Sequence, residues 1–200
     1  KDFFPDQPDR VAAMDPDTGA LRWSTPVGHL SPQCLAALNG KVTCYNYKEL
    51  LCLDQKTGAI LWKAEHPATG QKDRKTGVEY FPNRMSGRLA MHGGQVFFAG
   101  RGFHAYEADT GKLLWKNDRA AYGVGGGAFG YGSWLYIADG LLWSAQGRSD
   151  RAIGYDPLTG KEARSVDIGQ MLVRGHHPRC LTPKATDRFL IANMRGAEFI

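Results

Sequence analysis

No C-x-x-C pair occurs among the four cysteines, Cys34, Cys44, Cys52 and Cys180. Zinc-ribbon and thioredoxin-type readings are therefore excluded, and so is a C-x-x-C-H attachment site for c-type haem. The even count permits disulfides without proving an oxidising compartment. No apolar run is long enough to cross a membrane, and no segment reads as an amphipathic helix. Charge of one sign does not dominate either: 25 Lys and Arg face 20 Asp and Glu, a net +5 with pI near 9.0. The basic residues are scattered, the densest group being Lys72, Arg74 and Lys75 with Arg84 and Arg88 beyond. That dispersal reads as a solvated surface rather than a nucleic-acid footprint. The sequence shows no signal peptide and does not begin with Met, which reads as a processed, trimmed or partial chain.

What is abundant is glycine, 25 residues, together with aromatics at 11%. That pairing suits an all-β protein with frequent tight turns. Self-similarity is stronger still. Four segments align without gaps: VAAMDPDTGALRW (11–23), LLCLDQKTGAILW (50–62), FHAYEADTGKLLW (103–115) and AIGYDPLTGKEAR (152–164). Their glycines, Gly19, Gly58, Gly111 and Gly160, lie 39, 53 and 49 residues apart. Such a period predicts one four-stranded propeller blade per repeat, with connections of variable length.

Each column of the repeat has a physical task. Asp15, Asp54, Glu107 and Asp156 stand four before the glycine, where a short carboxylate accepts backbone N–H bonds at the start of a turn. Pro16 and Pro157 follow with the φ that a type I turn requires. The glycine supplies the positive φ that closes a bulged hairpin. These carboxylates are thus expected to be structural, not catalytic. Small residues, Ala13, Cys52, Ala105 and Gly154, stand six before the glycine and are expected to let a neighbouring sheet approach. Trp23, Trp62 and Trp115 stand four after it. A recurring indole predicts a large inter-blade packing element. The fourth repeat has Arg164 instead. Upstream of the cores, residues 39–54, 93–109 and 132–146 alternate as hairpins, the last turning at Asp139-Gly140.

The pattern L-x-x-L-D-x-x-T-G-x-x-x-W resembles the tryptophan-docking repeat of the pyrroloquinoline-quinone-like propeller family. That family includes quinoprotein dehydrogenases and cofactor-free relatives. In style the chain looks like the outer-membrane assembly propeller lipoprotein. It also resembles large extracytoplasmic propeller proteins of planctomycete-type bacteria, to which the segment 175–200 is similar. The resemblance implies a β-propeller of four-stranded antiparallel blades with about four blades present, residues 1–200 forming part of one propeller. Residues 67–84 read as an insertion and 188–200 as the start of a further blade. Family propellers usually close with seven or eight blades, so further blades or partner chains are expected to complete the ring.

Five features could carry chemistry. His176, His177 and Cys180 combine imidazole and sulfur, which suits zinc or copper if the backbone bends at Pro178. Alternatives there are a structural loop or a disulfide at Cys180. Cys44 and Cys52 face each other across their hairpin if the loop around Tyr47 has three residues, giving a disulfide or two buried thiols. The run 123–132 contains G-x-G-x-x-G spacing at Gly125, Gly127 and Gly130, but a strand rather than a helix is expected after it, which argues against dinucleotide binding. The insertion 67–84 is a solvated loop or a binding surface. By resemblance, active quinoprotein dehydrogenases hold the quinone between a tryptophan and a disulfide of adjacent cysteines, with calcium alongside. No adjacent cysteines occur here. The expected function is an extracytoplasmic binding or scaffold module, with no cofactor evident in this stretch. Its partner would be a protein or the remaining blades of the same propeller. The alternative is part of a dehydrogenase using pyrroloquinoline quinone and calcium.

Overall fold

Short runs rich in apolar and β-branched residues, punctuated by glycine turns, fold into strands. The computed structural model describes residues 8–31, 34–66, 71–72, 79–80, 88–100, 102–118, 135–145, 151–167 and 184–191. Among these residues every regular element is a strand. The first six are β1 (Asp9–Met14), β2 (Leu21–Gly28), β3 (Leu35–Leu38), β4 (Lys41–Tyr45), β5 (Glu49–Asp54) and β6 (Ile60–Glu65). They are followed by β7 (Gln71–Lys72), β8 (Glu79–Tyr80), β9 (Arg88–His92), β10 (Gln95–Ala99), β11 (Phe103–Glu107) and β12 (Leu113–Asn117). The last are β13 (Tyr136–Ala138), β14 (Leu141–Ala145), β15 (Arg151–Tyr155), β16 (Glu162–Asp167), β17 (Lys184–Ala185) and β18 (Leu190–Ile191).

Three antiparallel sheets have four strands each in sequence order: β3 to β6, β9 to β12 and β13 to β16. The hairpin β1–β2 carries the first repeat, and β7–β8 and β17–β18 are short two-stranded ladders. Strand β9 lies against both β3 and β13. The first strands of consecutive sheets therefore converge while the sheets fan outward, which is propeller geometry.

The core lies between blades, because both faces of each middle strand are apolar. Val42, Cys44, Leu51 and Leu53 pack on Val11, Val27 and Trp23 of the first hairpin. From the opposite face of that blade, Tyr45, Leu50, Cys52 and Trp62 pack on Val96, Phe98, Tyr106 and Ala108. Phe97, Ala99, Phe103 and Ala105 meet Leu135, Leu142 and Tyr155 at the next seam.

The corner of each repeat forms as the sequence requires. The Asp54 carbonyl accepts the Gly58 N–H at 2.8 Å, and the Asp54 N–H donates to the Ala59 carbonyl at 2.8 Å. Asp54 Oδ1 accepts the N–H groups of Lys56 and Thr57 and the Thr57 hydroxyl, all within 2.9 Å. Asp15 repeats this arrangement and adds an ion pair to Arg22. These bonds hold both carboxyls below the ordinary Asp value. Thr57 contributes most at Asp54, and Arg22 most at Asp15. Gly58 sits at φ 74°, where a residue with Cβ is strained, and a β-bulge follows Cys52.

Of the segment 188–200, read as the start of a further blade, residues 188–191 are described, and β18 within it pairs with β17. Thr186 Oγ1 accepts the N–H groups of Arg188 and Phe189 and so turns the chain between β17 and β18. One expectation is corrected: the bridge between Cys44 and Cys52 is not formed. Tyr45 pairs with Leu50, so the loop parity differs by one from the expected loop. Cys44 then lies opposite Leu51, and Cys52 opposite Thr43. The two thiols consequently point to opposite faces of the sheet, and both are free.

Candidate functional site

Each tryptophan of the repeat leaves its own sheet opposite the small column: Ala13 faces Trp23, Cys52 faces Trp62 and Ala105 faces Trp115. The indole then enters the corner of the next blade. Trp23 Nε1 donates to the Gln55 carbonyl at 3.0 Å, Trp62 Nε1 to Ala108 at 2.9 Å and Trp115 Nε1 to Pro157 at 2.9 Å. Each acceptor lies three residues before the corner glycine. A Cβ added at Gly58, Gly111 or Gly160 would sit 2.4–2.5 Å from the incoming ring. Glycine is thus required twice over, by φ and by the indole seated on it. Thr25 and Asn117, two after Trp23 and Trp115, add hydrogen bonds to the carbonyls of Gly58 and Gly160 at 2.7 and 2.6 Å. In the fourth repeat Arg164 bonds Asp139 Oδ2 at 2.8 Å, with its guanidinium 5.9 Å from the Trp143 ring.

Strand alternation fixes which end of a blade is free for function. The turns β3–β4 and β5–β6, with their counterparts in the other blades, lie at one end. The turns β4–β5 and the connections between blades lie at the other. The first end is occupied by capped corners. At the second end, between the second and third blades, an aromatic cluster surrounds His66. Its backbone N–H donates to the Lys48 carbonyl at 2.8 Å, and its Nδ1 lies 2.8 Å from the Tyr106 hydroxyl. The ring stands edge-on to Phe98 and to His104, with centroids 4.6 Å apart in both cases. Tyr45 packs on Phe98 at 4.6 Å. Burial lowers the His66 pKa to about 4, and the neighbouring His104 adds to that shift. Burial likewise lowers His104, against a favourable pull from Asp118. It raises the Tyr106 phenol to about 12. At neutral pH the cluster is therefore uncharged. His66 and His104 share no local motif, so nothing in the sequence marks the cluster.

Burial is also the main cause that raises the thiols of Cys34, Cys44 and Cys52, to about 11, 12 and 11. A water-soluble thiol reagent at pH 8 is expected to modify none of the three in the folded chain and all of them after denaturation. Peptide mapping checks this, and labelling of Cys44 without unfolding would contradict it.

Of the other expected sites, His176, His177 and Cys180 lie outside the described residues, as do 123–132 and nearly all of 67–84. Among the described residues no three His, Cys, Asp or Glu side chains are grouped to hold a metal ion. The repeat carboxylates Asp15, Asp54 and Asp156 accept backbone N–H groups in their corners, and Glu107 accepts the Thr110 hydroxyl. The sequence has no vicinal cysteines, and among the described residues these carboxylates are committed to their own corners.

A family described as outer membrane protein assembly factor BamB matches residues 7–171. The chain belongs to this quinoprotein-like propeller family. Within it, BamB from Moraxella catarrhalis has a similar fold, with a TM-score of 0.57 at 22% identity over 79% of this chain and 46% of that one. The dehydrogenase subunit of a quinone alcohol dehydrogenase from Gluconacetobacter polyoxogenes is 31% identical over 53% of this chain. Quinohemoprotein alcohol dehydrogenase ADH IIB from Pseudomonas putida is 30% identical over 54%. The matches span only 16% and 17% of those two relatives. No helix among the described residues is long and apolar enough to cross a membrane.

Proposed function

We propose that this member of the BamB-like propeller family is a non-catalytic binding or scaffold module working outside the bacterial cytoplasm. Its broad end, where the blade connections emerge, receives a protein partner or the other blades of its own propeller. The observation that carries this reading is the use of the repeated polar groups. Every acid set by the repeat is a hydrogen-bond acceptor in its own corner, so the repeat builds a rigid frame and no convergent catalytic set. The family's description as an outer membrane protein assembly factor supports it. The test is to crosslink cells making the complete polypeptide, purify it under denaturing conditions and quantify what is attached. A partner in fixed ratio is expected. Recovery of the polypeptide alone, at every crosslinker length, would sink the reading.

The 31% identity to a quinone alcohol dehydrogenase favours a second reading, in which the chain is one part of an alcohol- or sugar-oxidising enzyme. Dye reduction that needs both added pyrroloquinoline quinone and calcium would establish it over the scaffold. Metal analysis of the complete polypeptide, before and after a His176→Ala, Cys180→Ala double substitution, tests the zinc or copper site in the same preparation.

A further inference from the structure

His66 and His104 come from different blades: His66 follows β6 and His104 lies in β11. Their rings meet edge to face at 4.6 Å, and Tyr106 of the third blade holds His66 Nδ1 at 2.8 Å. We propose that these two histidines form an acid-opened latch across the seam between the second and third blades. With both imidazoles neutral, the edge of one ring rests on the face of the other and the seam is closed. Protons taken up from solvent by the imidazoles place two cations within one ring stack, and the blades part at that end. Opening would uncover Tyr45 and Phe98, the aromatic pair that His66 covers.

The groups facing the pair leave this as the favoured direction. Tyr45 of β4 and Tyr106 of β11 have phenol pKa values raised by burial, so they stay neutral and neutralise no cation. The chain turn between β4 and β5 offers the Lys48 carbonyl, which already accepts the His66 N–H. Phe98 of β10 lies opposite His104 and offers a hydrocarbon ring. From β12, Lys116 lies directly across from His104 and opposes its protonation. Asp118 and the Gly102 backbone favour it, yet burial outweighs both, and Asp118 stands 3.9 Å away with its carboxylate largely in solvent and shared with Lys116. Neither imidazole therefore has a strong anionic partner waiting for its proton. The seam between the third and fourth blades brings together Phe97, Phe103, Leu142 and Tyr155, and no pair of histidine rings meets there among the described residues, which provides an internal control.

The sign follows from linkage. A histidine that titrates at about 4 when packed and near 6.5 when released takes up its proton in the open form first. Opening is then favoured as pH falls from 6.5 towards 4, with no further contribution from this group below that. The test is amide hydrogen exchange of the chain at pH 7 and pH 4.5, corrected for intrinsic rates. It is combined with NMR titration of the imidazoles in the folded chain and in urea. Exchange from Trp62 to His66 and in β11 is expected to rise at least tenfold at pH 4.5, while β15 and β16 change little. Replacing both histidines, as His66→Phe with His104→Phe, should remove that rise. The titration needs no variant, so a poorly folding double substitution leaves the test intact. A His66 that titrates alike folded and in urea overturns the latch, and so does acid-induced exchange that is equal at both seams.

Discussion

Replacing Gly111 by alanine is expected to destabilise the fold by about 3 kcal/mol, the sum of a backbone and a packing contribution. Gly111 has φ 73°, where a Cβ costs roughly 1 kcal/mol. The added methyl would also lie 2.5 Å from Trp62 Cε3. The indole has little freedom to retreat. It is buried, and its N–H is fixed to the Ala108 carbonyl at 2.9 Å. Overpacking of that kind adds on the order of 2 kcal/mol. Gly19 supplies the control within the same chain. Its φ is 70°, and a Cβ there meets nothing within 4 Å, so Gly19→Ala is expected to lose only the backbone part, about 1 kcal/mol. Urea unfolding of the two variants measures the difference. Equal losses would mean that the indole yields and that the seam is looser than described.

How far this arrangement is legible in sequence depends on whether its cause is local. The corner is local: carboxylate, threonine and glycine interact within five residues, so Asp54, Thr57 and Gly58 announce the turn unaided. The tryptophan is legible as a recurring packing element, but its destination is not. Nothing in the spacing says that Trp62 donates to a carbonyl 46 residues further on. The first strands β3 and β9 carry no repeat motif, although Asn39-Gly40 and Gly93-Gly94 are hairpin signals that mark where they end. Loop parity at Tyr47 misled the cysteine reading. A tyrosine at φ 68° is not foreseen from residue type, and one residue of register moves every side chain to the other face. Arg164 is visible as a departure. That it pairs with Asp139, while Trp143 lies across from Gly154, depends on a strand that the repeat motif does not include. The histidine cluster has no sequence signal at all, because it exists only once two blades are docked.

Replacing Trp62 by alanine is expected to be the most damaging single truncation of the repeat tryptophans, at about 4 kcal/mol. Trp62 is the one indole of the three that is buried; Trp23 and Trp115 are half-buried and should lose less. Truncation empties the space between the second and third blades and leaves the Ala108 carbonyl without its indole donor. The decisive measurement is the double variant with Gly111→Ala. Once the indole is gone, the new methyl has nothing to strike, so Gly111→Ala in the Trp62→Ala background should cost only its backbone part, about 1 kcal/mol. The coupling between the two positions is then about 2 kcal/mol. Additivity would show instead that Trp62 stabilises its own sheet and that the blades are joined elsewhere. A coupling of the expected size places the joint between blades at one ring and one glycine, 49 residues apart in sequence.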